Sequence, residues 1–405
     1  MPTITLGTVT INKSSHSYIK QILATKRLSY GPFSEKFEQL FAQTHQVKHA
    51  VLCNSGTSAL QIILAVAKNK YGWKNGDEIL VPAITFVATI NAIVNSGLKP
   101  VLVDVDPRSY NLDPQLIEDK ISRKTRAIMP VHLFGSPAAM DEISQLCKRH
   151  NLKLFEDSCE AIAVDYQGKS VGSWGEAAAF SLHSAHILAA GIGGVITTNN
   201  SELAQRFRSL IYHGRDISYL SIDDDDQLSD SDLKKIIDKR FLFNKIGFSC
   251  RLSELEAAIA LSQLEKINKI VGARSSNVHY LNQKLQDLSA FIQLPQLTKA
   301  SRQPLMAYPL VIRKKLINSQ PKLLQKLVLF LEKNKVETRY FFPLINQPAY
   351  RQFGWQPSNY PVASYLEKAG LYFGCHQDLV KNDLDYLSDL IHKFFHKKIK
   401  VNETE

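Results

Sequence analysis

The sequence predicts an α/β fold with a mostly parallel sheet, followed by a smaller α+β region. Short apolar runs alternate with helical segments between residues 50 and 199. Runs such as EILVPA and LKLFEDS are apolar throughout instead of alternating, as expected for strands that helices cover on both faces. The chain has 405 residues, and single cores stop growing near roughly 250 to 300 residues. Two unequal domains are therefore predicted.

The first part of the chain divides into an arm and a large domain. Residues 1–30 form an N-terminal arm whose helical piece, HSYIKQILATKRL, ends at the turn Ser29–Pro32. The large α/β domain covers residues 31–270. Its predicted strands are AVLCN, EILVPA, KPVLVDV, RAIMPVHLF, LKLFEDS, AAAFSLH and GGVITTN, and its predicted helices are FSEKFEQLFAQTH, TSALQIILAVAKN, FVATINAIVNSG, PQLIEDKI and MDEISQLCKRHN.

The alternation of predicted strands and helices is interrupted at residues 214–246 by a polar insert, which contains a short predicted helix, DSDLKKIIDKRF. Its four aspartates, Asp223 to Asp226, indicate a solvated loop, because a calcium loop needs alternating ligands, a central glycine and a distal glutamate. A long helix, RLSELEAAIALSQLEKINKIV, is predicted to link the domains. The small α+β domain, residues 271–405, combines the strands MAYPLVI and VETRYFFP with the helices LLQKLVLFLEKNK and LDYLSDLIHKFF.

Composition excludes several classes of protein. No apolar run approaches the roughly 18 residues of a membrane helix, and the N-terminus lacks a basic region followed by an apolar core, so a cytoplasmic location is expected. The formal charge of +11 is scattered and forms no nucleic-acid groove; an anionic small substrate or a generally basic proteome explains it equally well. The cysteines have no CxxC spacing, which argues against zinc and disulfide frameworks. They are Cys53, Cys147, Cys159, Cys250 and Cys375.

Two predicted strand ends carry chemistry. The segment after AVLCN opens directly into a helix at Gly56 and Thr57, where free N–H groups and the helix dipole favour an anion; a plain Ser/Thr cap is the alternative. LKLFEDS ends in acids at the carboxyl edge of a central strand. A buried Asp157 needs a cationic partner, which a protonated pyridine nitrogen or a structural salt bridge would provide. A role for Asp157 as the N-cap of a helix is a further alternative.

In eight segments the chain resembles the DegT/StrS family of pyridoxal-phosphate-dependent nucleotide-sugar aminotransferases and dehydratases. The segments are NSGTSAL, VPAITFVAT, VDVDPRSYN, PVHLFGSPAAMDEI, FEDSCEA, the strand around His186, GFSCRLSELEAAIALSQLEKI and ETRYFFPLINQPAY. The resemblance covers residues 29–395. It implies fold type I of pyridoxal-phosphate enzymes, which is aspartate aminotransferase-like, and a homodimer with shared active sites.

The resemblance also implies roles for individual residues. Gly56, Thr57 and Ser181 are expected to hold the cofactor phosphate, and Phe86 to stack on the pyridine ring. Asp157 is expected at the ring nitrogen and Glu160 beside the ring hydroxyl, where many relatives carry Gln or His. Ser249 replaces a family asparagine that reaches the phosphate in the neighbouring subunit. The residues that the resemblance implies as cofactor ligands are Gly56, Thr57, Phe86, Asp157, Glu160, Ser181 and Ser249.

His186 stands where the family's aminotransferases keep the catalytic lysine. They read close to SFxxTK where this chain reads SLHSAH, and no lysine occurs between Lys169 and Lys234. Since an imidazole cannot form the Schiff base that an amine forms, noncovalently held pyridoxamine phosphate is expected as the resting cofactor. A histidine with a pKa near roughly 6.5 remains a competent base.

This replacement is similar to that in the sugar 3-dehydratases of colitose and ascarylose formation, as is the ending from Tyr372 to Leu379. There a histidine removes a proton from the cofactor methylene, and the hydroxyl at C3 of a 4-keto-6-deoxy sugar nucleotide leaves. Ile187 and Ile192 depart from the subgroup's HHxxxGEGG pattern, and residues 214–247 lack the cysteines of an iron–sulfur cluster. The resemblance therefore implies a colitose-like route with glutamate as amino donor. A 4-aminotransferase and a noncatalytic paralogue stay open.

Four further polar residues complete the expectations. His132 and His213 are candidates for the substrate cleft, with a structural role equally open, and Arg339 is a candidate for the diphosphate of the nucleotide sugar, with an exposed surface arginine as the alternative. His183 and His186 would face opposite sides of a strand, so no metal site is predicted.

Overall fold

The computed structural model describes residues 4–216, 229–297, 302–342 and 344–402, the last six by backbone only. The four aspartates at 223–226 lie outside this part of the chain. The helices are α1 Lys13–Thr25, α2 Pro32–Thr44, α3 Gly56–Tyr71, α4 Val87–Asn95, α5 Met140–Arg149, α6 Ser201–Ile211, α7 Asp230–Lys239, α8 Glu254–Leu264, α9 Ile267–Lys284, α10 Lys314–Ser319, α11 Leu323–Lys333, α12 Pro361–Ala369 and α13 Lys381–Asn402. The strands are β1 His49–Cys53, β2 Glu78–Pro82, β3 Lys99–Val103, β4 Thr125–Ile128, β5 Lys153–Asp157, β6 Asp165–Tyr166, β7 Lys169–Ser170, β8 Ala177–Ser181, β9 Gly194–Thr198, β10 Ile292–Gln293, β11 Ala307–Ile312, β12 Thr338–Tyr340 and β13 Gly370–Gly374.

The large sheet has the order β1-β9-β8-β5-β4-β2-β3. Its pairs are parallel except those of β9, which runs antiparallel to both β1 and β8. The predicted mostly parallel sheet is thus confirmed. Because β1, β5 and β8 run in the same direction, the segments that follow them meet at one edge, where ligands bind in open α/β sheets.

The small sheet, β10-β11-β13-β12, is antiparallel throughout. The sequence analysis did not predict β13 or the helix α12 that precedes it. One contiguous apolar core extends from the large sheet through β11 and β13, and α9 runs without a break across the predicted domain boundary at residues 270–271. No helix of the described residues is long and apolar enough to cross a membrane.

Two helix predictions are wrong. PQLIEDKI forms two short 3-10 turns, Pro114–Leu116 and Glu118–Lys120, because Ile117 alone in this segment is fully buried and a single buried side chain does not support a longer helix. The long linking helix is interrupted: α8 ends at Leu264 and α9 begins at Ile267, since Lys266 leaves helical geometry with φ −116° and ψ 17°.

The N-terminal arm packs on the small region beside the edge of the large sheet. Ile4 bridges Val336 in parallel register, and the Leu6 amide donates to Glu337 Oε2 at 3.0 Å. A Cβ added to Gly7 would lie 2.6 Å from Ala185 Cα, so the arm's backbone touches the segment that follows β8. The arm therefore forms part of the wall of the cavity described next.

Candidate active site

A cavity of about 540 Å³ opens where the strand ends of the large sheet face the small region. Most of its lining is apolar, with a few convergent polar groups, as is usual for small-molecule sites. The structure brings together eight of the predicted site residues here: Gly56, Thr57, Phe86, Asp157, Glu160, Ser181, His186 and Arg339.

One end of the cavity is the N-terminus of α3. Ser55 caps this helix, its Oγ accepting from the Ser58 amide at 3.0 Å. A Cβ at position 56 would lie 2.7 Å from Cys159 Sγ and 2.9 Å from Ser181 Cβ, so only glycine lets the chain pass this close. Ser181 Oγ accepts from the His183 amide and keeps its own hydrogen for a ligand. Such a helix terminus with hydroxyls beside it suits a phosphate.

Asp157 ends β5 inside the same cavity and is only 5% exposed. Its Oδ2 accepts from the Thr89 hydroxyl at 2.7 Å and its Oδ1 from the Cys159 amide at 3.2 Å. Among the described residues no lysine, arginine or histidine forms an ion pair with it. A buried carboxylate without a cation calls for a charged ligand. A protonated pyridine nitrogen is such a ligand, so the residues fit a pyridoxal-type cofactor.

Glu160 is a second buried acid, reached from the loop after β5. Its Oε2 accepts from the Phe134 amide at 2.6 Å. Burial, together with the charge of Asp157, raises the pKa of this carboxyl to about 8, although the hydrogen bond from the Phe134 amide opposes the shift. Glu160 is therefore mostly protonated at neutral pH and can donate a hydrogen bond into the cavity.

His186 lies on a turn and not on a strand. β8 ends at Ser181, and the His186 amide donates to the His183 carbonyl at 2.9 Å. The rings of His183 and His186 are 5.9 Å apart and both line the cavity, so the expectation that they face opposite sides is wrong: the strand period no longer applies after residue 181. No group of three or more metal-ligating side chains occurs in the described part of the chain.

The imidazole of His186 is held neutral. Within the described residues Nδ1 is buried and has no hydrogen-bond partner. Burial lowers the pKa of His186 to about 3, with smaller contributions from His183 and the charge of Arg274. The ring is therefore in its proton-accepting form throughout the physiological range.

Arg339 reaches the cavity from β12. Its Nη2 pairs with Glu337 Oε1 at 2.7 Å and its Nη1 donates to the Thr338 carbonyl at 2.8 Å. The side chain is half exposed, so the guanidinium retains a face toward the cavity mouth. A phosphate would compete with Glu337 for it.

Three predicted residues lie outside the cavity. His132 is fully buried; its Nδ1 accepts from the Ala138 amide and its Nε2 pairs with Glu156 Oε2 at 3.2 Å, which leaves no nitrogen for substrate. The structural alternative therefore holds for His132. His213 is exposed, with its ring edge-on to Phe243 at 6.5 Å. Ser249 is exposed on the same surface, where it accepts from Arg251.

Sequence reasoning did not assign Tyr372, Glu337 or Met306 to the site, although all three line the cavity. Tyr372 pairs with Arg339 across β12 and β13, and its ring packs 5.0 Å from Phe134 and 5.6 Å from Phe342. Burial and the nearby Glu160 raise its pKa above the ordinary value. The apolar run GLYFG was the available signal for this strand.

Comparison with known proteins decides the family. The model of the DegT/DnrJ/EryC1/StrS aminotransferase family matches residues 9–392. The chain belongs to this family. Among its relatives, GDP-perosamine synthase of Caulobacter vibrioides is 33% identical over 95% of this chain and 96% of its own. The dTDP-4-dehydro-2,6-dideoxy-D-glucose 3-dehydratase of Saccharopolyspora spinosa is 31% identical over 92% of this chain and 82% of its own.

A solved family structure confirms the fold. The GDP-4-keto-6-deoxy-D-mannose-3-dehydratase of E. coli, solved with bound hydrated PLP, superposes with a TM-score of 0.85 at 26% identity, covering 96% of this chain and 99% of that one. The protein thus has fold type I of the pyridoxal-phosphate enzymes, as predicted. Family members include both sugar aminotransferases and 3-dehydratases.

Proposed function

We propose that this protein is a pyridoxamine-phosphate-dependent 3-dehydratase of a 4-keto-6-deoxy nucleotide sugar, with His186 as the catalytic base. One observation carries the proposal: an imidazole lies at the cavity, and no lysine is among the described residues that line it. An enzyme of this fold without an amine at that place has no group to tether its cofactor. The 3-dehydratases among its relatives support this assignment.

The cavity offers a place for each part of the cofactor. Gly56, Thr57 and Ser181 would hold the phosphate at the start of α3, and Asp157 would pair with the ring nitrogen. Phe86, half exposed at the cavity, would cover the ring face. Glu160 would donate to the ring oxygen. When bound, the cofactor supplies an electron-withdrawing ring that stabilises a carbanion beside it.

His186 would then move one proton twice. Its neutral ring would take, at Nε2, the proton that leaves the carbon beside the cofactor ring, because Nδ1 is buried. Because burial lowers the pKa of His186, the protonated ring is a better proton donor than a free imidazolium. It would give the proton up readily to the hydroxyl that leaves C3, which departs as water. Glutamate would restore the amine form of the cofactor, and no iron–sulfur cluster takes part, because residues 214–247 contain no cysteine.

We also propose that two copies share their active sites. Apolar side chains of the segment that precedes Ser249 are exposed on one surface: Phe241, Leu242, Phe243, Ile246 and Phe248. These side chains lie at the end of the predicted polar insert and just after it, and residues 217–228 of the insert lie outside the described residues. Single chains rarely leave such a patch in water. A second copy would cover it and bring Ser249 near the phosphate of its neighbour.

A 4-aminotransferase is the second candidate. It is favoured by the 33% identity to a perosamine synthase and by Ile187 and Ile192, which replace a histidine and a glutamate usual in the dehydratase subgroup. Incubation with a 4-keto-6-deoxy sugar nucleotide, pyridoxamine phosphate and glutamate separates the candidates. We expect a 3-deoxy sugar; a 4-amino sugar with 2-oxoglutarate would establish the aminotransferase, and unchanged substrate would indicate a noncatalytic paralogue.

Borohydride gives an independent test. We expect that reduction in the presence of pyridoxal phosphate, followed by peptide mapping, leaves the residues that line the cavity unmodified, because His186 cannot tether the cofactor. A covalent adduct on a residue that lines the cavity would contradict the noncovalent site. The variant His186→Lys should become reducible in this way and shift its products toward the 4-amino sugar. A variant with the wild-type products would remove His186 from the role of base.

A further inference from the structure

Arg274 is the largest fully buried side chain among the described residues. It projects from α9, next to the small region, and it is 88 residues away from His186 in sequence. Its Nε donates to Gln377 Oε1 at 3.0 Å, its Nη1 to the carbonyls of Leu305 and Met306 at 3.1 and 3.0 Å, and its Nη2 to the His186 carbonyl at 3.4 Å. All four acceptors are neutral oxygens.

A buried cation without a carboxylate partner is costly, so a side chain of this kind needs an explanation beyond packing. The acceptors belong to three separate segments: the turn that holds His186, the entry to β11 and the segment after β13. Met306 at the second of these lines the cavity. Gln377 at the third donates in turn to Thr10 Oγ1 at 3.2 Å, in the N-terminal arm. One planar guanidinium thus ties together the segments that form this wall.

We propose that Arg274 is a positioning residue: it holds the turn 183–186 by the His186 carbonyl and so fixes the imidazole against the cavity. The turn needs such support. β8 ends at Ser181, so residues 183–186 lie beyond the regular sheet ladder. The His186 ring itself has no hydrogen bond at Nδ1 within the described chain. Among the described residues, the hydrogen bonds of His186 are those of its backbone: its amide donates to the His183 carbonyl, and its own carbonyl accepts from Arg274.

The proposal rests on the base role of His186, but its first test does not require activity. Hydrogen exchange on the cofactor-free protein is compared between wild type, Arg274→Met and Arg208→Met. The control loses another arginine, about one-third exposed, whose hydrogen bonds go to Glu38 and the Ala50 carbonyl and not to this turn. In Arg274→Met we expect the peptide covering residues 182–190 to exchange about 10-fold faster or more, and in Arg208→Met to exchange as in wild type. Unchanged exchange in Arg274→Met would overturn the proposal. Arg274→Lys, which keeps the charge but cannot span three segments, serves if the methionine variant does not fold, with the same expected and contradicting results.

The second test is a double-mutant cycle on the dehydration. Misplacing a reacting group by about 1 Å can lower the rate by about 100-fold, so Arg274→Met should lower kcat by about 10- to 100-fold and leave KM for the nucleotide sugar unchanged. In a His186→Asn background the same change should cost nothing more, because Arg274 acts through His186. Full additivity, or a loss confined to KM, would overturn the proposal. If wild type shows no dehydration while the exchange result holds, the proposed function fails and the hold of Arg274 on the turn stands.

Discussion

The surroundings of the single residue Asp157 indicate the charge of the ligand that the cavity binds. It is buried, faces the cavity and forms no ion pair with the described residues. We expect Asp157→Ala to weaken the binding of pyridoxal phosphate at least about 10-fold, since a protonated ring nitrogen loses its counter-charge. Absorbance titration of the cofactor-free protein measures this. Asp165→Ala, which removes an acid paired with Arg302 outside the cavity, should bind as wild type does. Equal affinities for both variants would contradict the assignment.

The raised pKa of Glu160 predicts that the stability of the protein depends on pH. Its pKa is raised by burial to about 8 in the folded protein, against about 4.3 in an unfolded chain. A raised pKa means that the stabilising contribution is complete below about pH 4 and is lost as the pH rises through about 8. Each unit of difference is worth about 1.4 kcal/mol. The free energy of unfolding of Glu160→Gln minus that of wild type should therefore be larger at pH 8 than at pH 5. Urea unfolding of the cofactor-free protein measures it. A pH-independent difference would refute this.

At the scale of elements, two helical glycines differ in their surroundings. Gly56 starts α3 against Cys159 and Ser181, whereas Gly272 is exposed within α9 with nothing inside 4 Å of an added Cβ. Gly56→Ala should destabilise the protein by about 1–3 kcal/mol through overpacking and weaken cofactor binding, because the helix start must shift. Gly272→Ala should stabilise it by about 0.5–1 kcal/mol. Urea midpoints and the same titration measure both; a Gly56→Ala variant with normal affinity would contradict a phosphate site at α3.

At the scale of the whole molecule, the exposed apolar segment 241–248 predicts self-association. Ile246 is fully exposed in the single chain. We expect sedimentation to show wild type as a dimer, and Ile246→Asp to dissociate it, because a charge at the centre of an apolar interface is costly. The dissociated chain should also bind the cofactor more weakly, since Ser249 follows this segment. Leu329→Asp, on the exposed face of α11, should remain dimeric. A wild-type monomer would contradict the shared site.

Most of the large sheet and its helices were predictable from sequence, because apolar runs and helical periodicity are local properties. The exceptions have local reasons too: residues 114–121 bury only Ile117 fully, and Lys266 interrupts the long helix. Seven of the eight site residues meet at one cavity because they lie at or after the ends of β1, β2, β5 and β8, which run in one direction, whereas Arg339 comes from β12 of the small sheet. The sequence could not decide between a substrate contact and a structural role for His132. The pairing of its Nε2 with Glu156, 24 residues away, excludes a substrate contact and is visible only in the structure.

The order of the residues by itself determined the mostly parallel sheet, the helix start at Gly56 and the replacement of lysine by His186. These depend on neighbours in the chain, and no packing can restore an absent amine. Only the tertiary structure decided that His183 and His186 lie on one turn, that Tyr372 lines the cavity and that Arg274 holds the His186 carbonyl. Such contacts join residues up to hundreds of positions apart. They depend on how α9 and the small sheet pack against the strand ends, which no local pattern encodes.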